Sequence, residues 1–152
     1  MFKSKLDSKS EQNIISMLLD NSTITNDQIK KINETCEEIG KTKLETAFEL
    51  NLINEDKILS SLAQTYSLET VDLKKKIITN QLRSMFDVRF LEQYCLCPFE
   101  ITNGILKVAI PDGSKLSMVK TLQTMTGMNV EIYASKITAV YNALEKYKND
   151  KN

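Results

Sequence analysis

Apolar residues in the first part of the chain recur with the three- and four-residue spacing of an α-helix. Four such stripes follow one another: Ile14, Ile15, Leu18 and Leu19; Ile29, Ile32, Cys36 and Ile39; Leu44, Ala47 and Phe48; Ile58 and Leu62. The second stripe ends at Gly40, a residue type that commonly terminates helices. The pattern predicts a helical repeat subdomain of four helices over residues 8–66.

Polar residues of the kind that begin helices precede each stripe. Ser8, Thr25 and Thr42 are each followed three residues later by Glu or Gln, and Asn54 precedes the fourth helix. This spacing is the capping box, in which the two side chains satisfy backbone N–H groups that have no partner within the helix. We therefore predict capping boxes at the starts of the first three helices and an asparagine cap on the fourth.

The four predicted helices form two copies of one helical hairpin. Residues 24–29 (ITNDQI) align with residues 53–58 (INEDKI) at an offset of 29 residues, and the same offset relates Ile15 to Leu44 and Leu18 to Ala47. Each hairpin has only one apolar face to bury, so the repeat predicts that the two hairpins pack against each other as a four-helix unit.

From residue 67 onward, short alternating stretches separated by turn residues replace the helical stripes. Strands are predicted at 70–73, 95–101, 105–110 and 130–133, and helices at 80–94, at 116–127 and from Ser135 onward. Asn103-Gly104 lies between the second and third of these strands and is the strongest hairpin signal in the chain. The predicted fold class is α+β: a helical repeat subdomain (8–66), then an α+β subdomain (67–148) with a sheet of three or four strands and helices packed on it.

Composition excludes several classes of function. The chain has 152 residues, 20 basic and 20 acidic side chains, no histidine, and no apolar run long enough to span a membrane. Histidine is the commonest general base, so we expect no enzymatic activity, no catalytic residues, no metal site and no cofactor. Neutral net charge argues against nucleic-acid binding. The N-terminus lacks the apolar core of a signal peptide, which predicts a cytoplasmic protein.

Several short patterns resemble functional motifs, but a structural interpretation is preferred for each. Gly40-Lys41-Thr42 matches the end of a P-loop, yet the earlier glycine is replaced by Thr35, so we interpret it as a helix end followed by a helix cap. Cys95 and Cys97 would share one face of a strand and are interpreted as buried apolar residues rather than metal ligands.

Two other patterns concern surfaces. Residues 74–76 are three consecutive lysines, interpreted as a solvated turn, with contact to anionic lipid or to an acidic partner as alternatives. Met118, Met125 and Met128 are interpreted as core fillers rather than as a binding surface. A DNA-binding helix-turn-helix in the first half is disfavoured because acidic residues lie on the candidate recognition helix: Glu34, Glu37 and Glu38.

An ordered set of segments runs through most of the chain: 62–68 (LAQTYSL), 71–73 (VDL), Tyr94 with Pro98, 104–109 (GILKVA), Asp112 and 126–130 (TGMNV). In this order they resemble the N-terminal domain of bacterial type II secretion and type IV pilus assembly ATPases, known as the GspE N-terminal or MshE N-terminal-like domain. The resemblance covers about residues 12 to 147.

The resemblance implies a non-catalytic adaptor. In the family, this domain links the ATPase motor to an inner-membrane platform protein, and some members bind cyclic di-GMP. The implied partners are the motor domain and the platform protein, with no nucleic acid and no direct membrane insertion. The implied location is the cytoplasm, peripheral to the inner membrane through a partner. Two interpretations stay open: a piece of a longer ATPase, or a stand-alone adaptor.

The family's cyclic di-GMP motif can be compared position by position. It is a tandem repeat with the same offset of 29 residues, and its arginine, two glycines and glutamine fall in the first copy on Asn13, Ile15, Ser22 and Cys36. In the second copy they fall on Thr42, Leu44, Asn51 and Thr65. All eight residue types differ from the motif, so the nucleotide site is predicted to be inactive. A degenerate cyclic di-GMP-binding regulatory module is the alternative function.

A docking surface is predicted in the α+β subdomain. Its candidate residues, which are expected to be exposed, are the two arginines of the chain, Arg83 and Arg89, the strand-end Pro98, and the Asn103-Gly104 turn. Arginine is enriched at protein interfaces because its planar head pairs with carboxylates while its stem covers apolar surface.

Overall fold

The computed structural model describes residues 1–148, and the secondary structure below refers to that range. The helices are α1 (Ser8–Asp20), α2 (Asn26–Ile39), α3 (Lys43–Glu49), α4 (Glu55–Tyr66), α5 (Asn80–Met85), α6 (Val88–Tyr94), α7 (Val119–Thr126) and α8 (Ile137–Lys148). The strands are β1 (Cys97–Thr102), β2 (Ile105–Ile110) and β3 (Asn129–Ala134). Short 3-10 turns cover Leu73–Lys75 and Gly113–Met118. The predicted α+β class is confirmed.

One mixed sheet organises the second half of the chain. Its order is β1-β2-β3, with β1 and β2 antiparallel and β2 and β3 parallel. The turn between β1 and β2 is Asn103-Gly104, and φ is positive at both residues (53° and 75°), as a two-residue type I′ hairpin requires. The hairpin predicted from this dipeptide is therefore confirmed.

Helix starts in the first half follow the predicted caps, with one exception. Capping boxes are present at Thr25 and Thr42, and Asn54 caps α4. The predicted box at Ser8 is wrong, because the N-cap of α1 is Asp7, whose Oδ1 accepts a hydrogen bond from the Ser10 N–H at 2.8 Å. Aspartate is as good a cap as serine. The glutamate expected to complete the box, Glu11, points into the protein instead.

Three predicted elements of the second half differ in the structure. The strand expected at 70–73 is reduced to a single bridge from Thr70 to Ala134 before the first 3-10 turn begins. The helix expected over 80–94 is broken into α5 and α6, because Phe86 has an extended backbone (φ −130°) and Asp87 caps a new helix. The strand expected from 95 begins at Cys97, since Cys95 ends α6 in the left-handed conformation.

Helix α2 buries less of its apolar stripe than the sequence predicts. Ile32 is its one buried residue, while Ile29 and Cys36 are half-buried and Ile39 is 43% exposed. The helix packs mainly against α3. The regular spacing of apolar residues therefore predicts the helix correctly but overestimates its burial.

Two apolar clusters make up the core, one among α1–α4 and one around the sheet, and they interlock. Ala134 and Ile137, from β3 and α8, belong to the helical cluster. Glu55 on α4 accepts hydrogen bonds from the N–H and the hydroxyl of Thr138 at 2.9 and 2.6 Å, which ties α4 to the start of α8. The domain boundary between residues 66 and 67 stays a prediction. No helix within residues 1–148 combines the length and the apolar character that crossing a bilayer requires.

Candidate functional site

The two arginine positions of the tandem motif hold residues with structural roles. Asn13, on α1, accepts a hydrogen bond on Oδ1 from the Gly113 N–H at 3.0 Å, which attaches α1 to the loop after β2. Thr42 is the N-cap of α3, and its hydroxyl accepts from the Glu45 N–H at 3.1 Å. Neither side chain carries the positive charge that a phosphate would need, and both already have a partner within the protein.

The first glycine position of each copy lies in the hydrophobic core. Ile15 is 4% exposed and Leu44 is fully buried, and both belong to the cluster formed by α1–α4. A glycine at these points would leave room for another group to approach the backbone. Here large aliphatic side chains occupy that space. These two positions therefore belong to the helical core, and a ligand would have to displace core side chains to reach the backbone there.

The second glycine position of each copy has a different role, which the sequence comparison did not anticipate. Ser22 and Asn51 follow the C-caps of α1 and α3 with φ of 65° and 58°. The N–H of Ser22 donates to Leu19 O, and the next N–H donates to Leu18 O, at 3.0 and 2.8 Å. The turn at Asn51 repeats both bonds. This is the Schellman motif, in which glycine is usual because φ is positive.

Two surface hollows bring the two copies of the motif together. The first, of about 420 Å³, is lined by Cys36 and Thr42, the glutamine position of the first copy and the arginine position of the second. The second, of about 250 Å³, is lined by Asn13 and Thr65, the corresponding pair with the copies exchanged. The repeat in the sequence thus becomes two related hollows, each built from both copies.

Charge in the larger hollow is mixed rather than suited to an anion. Lys41 and Lys43 line it, but the Lys41 ammonium already forms an ion pair with Glu49 at 2.6 Å. Glu11 also lines it, although this residue is only 6% exposed. Its Oε1 accepts from the Leu44 N–H at 3.0 Å, and its Oε2 is buried without a hydrogen-bond partner among the described residues.

The predicted docking residues are placed differently from one another. Arg89 is exposed and pairs with Asp87, with 3.0 Å between Nη2 and Oδ2, and this contact lowers the pKa of the Asp87 carboxyl. Arg83 is half-buried and donates from Nε and Nη2 to the Lys146 carbonyl, near the end of α8. Pro98 is buried, which corrects the expectation that it is exposed, because the C-terminal helix covers this end of β1 and Tyr147 donates to its carbonyl. A docking role for any of the three stays a prediction.

The burial of two carboxylates is not predicted from the sequence: Glu11 joins α1 to α3, and Asp112 makes local hydrogen bonds. Glu11 was assigned to a cap, although it precedes Ile14 and Ile15 at helical spacing and so lies on the buried face of α1. Asp112 is fully buried at the start of the second 3-10 turn, where Oδ1 accepts from the Ser114 N–H at 2.9 Å and Oδ2 has no partner among the described residues. Burial raises the pKa of the Asp112 carboxyl.

Cys95 and Cys97 are buried and the partial P-loop connects two helices, as predicted. Burial raises the pKa of both Cys95 and Cys97 to about 12, so the thiols stay protonated at neutral pH. Within residues 1–148, no group of three or more cysteine or carboxylate side chains is arranged to hold a metal ion. Gly40 is the left-handed C-cap of α2 and Thr42 caps α3, so this segment connects two helices.

Comparison with protein families matches residues 66–151, more than half of the chain, to the MshEN domain. The chain belongs to the MshEN domain family. The resemblance inferred from the sequence segments is thus confirmed.

Two relatives with curated descriptions are type IV pilus assembly ATPases. The chain is 21% identical over 132 residues to the type IV pilus assembly ATPase PilB of Thermus thermophilus, and 24% identical over 132 residues to PilB of Myxococcus xanthus. Both matches cover 86% of this chain, but the chain spans only 15% and 23% of the length of these relatives.

Solved structures share the fold over nearly the whole chain. A structure of MshE with cdg superposes with a TM-score of 0.65 at 16% identity, covering 88% of this chain and 97% of the other. The N-terminal domain of XpsE superposes with a TM-score of 0.65 at 20% identity, covering 96% of this chain and 97% of that domain. At these identities the superpositions show a shared fold. The match to an excised N-terminal domain includes the helical half as well as the sheet.

Proposed function

We propose that this MshEN-family chain is a non-catalytic adaptor that connects a secretion or pilus-assembly ATPase motor to an inner-membrane platform protein. The observation that carries the proposal is the fit to the XpsE N-terminal domain, in which 96% of this chain pairs with 97% of that domain. This fit supports a role like that of the N-terminal domain of such an ATPase.

The arrangement of polar groups supports a binding role over a catalytic one. The buried carboxylates of Glu11 and Asp112 hold backbone N–H groups of the protein itself. The thiols of Cys95 and Cys97 are protonated at neutral pH, which makes them poor nucleophiles. Lys41 lies in a helix–helix connection and pairs with Glu49 rather than standing in a phosphate-binding loop.

A binding experiment tests the adaptor proposal directly. The full chain would be immobilised and exposed to the purified cytoplasmic part of the platform protein encoded with it, and separately to the motor domain. Saturable binding of at least one of them is expected, with affinity in the micromolar range or tighter. Failure of both to bind would contradict the proposal. ATP hydrolysis that disappears with Lys41→Ala would contradict its non-catalytic part.

A regulatory nucleotide site is the second candidate, favoured by the two related hollows that the repeat forms and by the MshE relative solved with cdg, which we read as cyclic di-GMP. The substitutions at Asn13, Thr42, Ile15 and Leu44 weigh against it. Calorimetric titration with cyclic di-GMP is expected to show no binding at micromolar concentrations. A micromolar dissociation constant corresponds to about −8 kcal/mol, and measuring one would favour the regulatory function instead.

A further inference from the structure

Residues 72–79, called here the lysine turn, expose an apolar side chain beside a run of lysines. Ile77 is 82% exposed, the highest value for a large apolar residue after Met1 within residues 1–148. It directly follows the three lysines at 74–76. An isoleucine this exposed buries almost no apolar surface on folding, so it contributes little to the stability of the protein. Its side chain is available to contact another apolar phase next to concentrated positive charge.

The lysine turn is anchored to the rest of the protein by buried side chains and hydrogen bonds. Leu73 and Ile78 are buried on either side of it, 1% and 3% exposed. Asp72 caps the 3-10 turn by accepting from the Lys74 N–H at 3.1 Å. From α8, the Lys146 ammonium donates to the carbonyls of Leu73 and Lys76, at 3.4 and 3.1 Å.

Among the residues that the structure describes, no acidic side chain lies close enough to two of the three lysines to offset their charge. The Lys76 ammonium pairs with Glu100 at 2.9 Å. Lys74 and Lys75 are exposed, and among the described residues neither has a carboxylate within 4.0 Å. Asp72 is the one acidic residue within the turn itself. The turn therefore presents two free ammonium groups next to an exposed aliphatic side chain.

We propose that the lysine turn is a membrane-contact site for anionic lipid, with Ile77 entering the headgroup layer and Lys74 and Lys75 pairing with lipid phosphates. The positive charge of the turn complements the negative charge of an anionic lipid surface. Lysine is a compact point charge that attracts phosphates without fixed geometry, whereas recognition of a protein carboxylate favours the arginine fork. An isoleucine tip can enter a lipid interface with no complementary cavity, which a folded protein partner would have to supply.

Vesicle binding tests this site with the full chain. Sedimentation with vesicles of phosphatidylcholine containing phosphatidylglycerol is expected to carry the protein down, and vesicles of phosphatidylcholine alone are not. Binding to the anionic vesicles is expected to weaken as salt is added, because exposed charges are screened.

Matched variants separate the turn from general charge effects. Lys74→Ala with Lys75→Ala is expected to lower the partition coefficient by about thirtyfold, from roughly a fivefold contribution per lysine. The control is Lys30→Ala with Lys31→Ala, an exposed neighbouring pair on α2 that removes the same charge. Ile77→Ser is expected to weaken binding as well, whereas Ile39→Ser, at another exposed isoleucine, is not.

A single tryptophan can report the contact, because the chain contains none. Ile77→Trp fluorescence is expected to shift to shorter wavelength on anionic vesicles, and Ile39→Trp fluorescence is not. Equal losses for the two lysine pairs, or equal binding to both kinds of vesicle, would overturn the proposal. So would binding to soluble polyglutamate but not to vesicles, if it required Lys74 and Lys75, because it would assign the turn to an acidic protein.

Discussion

The helical half of the molecule and the sheet half differ in the sequence distance between the residues that pair to form their elements. In the helical half, each helix starts at a local cap and ends at a local turn, and α2 buries only Ile32. In the sheet half, strands and short helices surround a cluster that includes Leu106, Val108 and Leu122, all fully buried. Both halves bury an apolar cluster and both use local caps, but the sheet half also requires pairing between strands that are distant in the chain, β2 with β3.

The comparison explains why the repeat can lose its motif residues and keep its shape. Caps at Thr25 and Thr42 and the Schellman turns at Ser22 and Asn51 require only short-range bonds. These bonds persist when the glycines and arginines of the family motif are absent. A helical repeat of this kind can change its surface chemistry while its backbone stays the same.

The largest expected effect lies in the sheet half. Leu106→Ala removes a fully buried side chain from the central strand, and we expect the free energy of unfolding to fall by about 3 kcal/mol. Ile39→Ala, at the exposed end of α2, is the matched apolar truncation and should change it by less than about 0.5 kcal/mol. Urea denaturation of both variants checks the difference. Similar losses would show that burial does not determine the cost of truncation at these two positions.

A smaller effect is expected at the buried carboxylate that joins α1 to α3. Glu11→Ala leaves the Leu44 N–H without its acceptor, and we expect a loss of about 2 kcal/mol in the free energy of unfolding. Glu11→Gln keeps an acceptor oxygen at the same place and should lose less. Gln12→Ala, one residue along on the exposed face, serves as the control. If Glu11→Ala were as stable as Gln12→Ala, the buried hydrogen bond would contribute nothing.

The sequence predicted most of the fold where the information is local. The caps at Thr25, Thr42 and Asn54 and the Asn103-Gly104 hairpin are short-range patterns, and all were predicted correctly. The break at Phe86 and the early end of the strand at residue 70 were missed, because both depend on packing against distant parts of the chain. Asp7 and Ser8 are both good cap residues, so the sequence alone does not choose between them.

The offset of 29 residues identifies both copies of the motif in the sequence, and the structure places residues of both copies around each hollow. A ligand-binding role for these positions stays a prediction. Whether Ser22 and Asn51 were ligand positions or turn positions required the φ angles. The burial of Pro98 depends on α8, which lies far away in the sequence. Burial of a residue by an element that is distant in the chain is difficult to predict from a single sequence.

Opposite pH dependences are expected for one carboxylate in each half. Burial raises the pKa of Asp112, so the folded protein binds its proton more readily, and stability falls as pH rises through the window above the ordinary value of 3.8. Hydrogen bonds from the N–H groups of Ser4 and Thr42 lower the pKa of Glu45, so its contribution is lost as pH falls below the ordinary value of 4.5.

The measurement is urea denaturation from about pH 3 to pH 7. As pH rises, the free energy of unfolding of Asp112→Asn should increase relative to that of the unmodified chain. That of Glu45→Gln should decrease relative to it. Glutamine suits the second test because Gln28 occupies the equivalent capping position in α2. If both differences had the same sign, one of the two assignments would be wrong.

A gain in stability is expected at one of the two Schellman turns. Ser22 is exposed with φ of 65°, so Ser22→Gly relieves a left-handed backbone and should stabilise the protein by about 0.5–1 kcal/mol. Asn51→Gly should change stability little, because asparagine adopts this conformation readily. Thermal unfolding of both variants tests the comparison. A larger gain in stability for Asn51→Gly than for Ser22→Gly would show that backbone strain does not distinguish the two turns.

The smallest expected effect separates the two arginines. The Arg89 side chain is 86% exposed, and among the described residues its ion pair is with Asp87, so Arg89→Ala should leave the free energy of unfolding nearly unchanged. Arg83 donates to the carbonyl of Lys146, so Arg83→Ala should lose up to about 1 kcal/mol. If the sheet half forms the docking surface, the double variant should also bind the platform protein or motor domain more weakly. Normal binding by the double variant, with binding lost in Lys9→Ala or Asn13→Ala, would place the docking surface on the helical half.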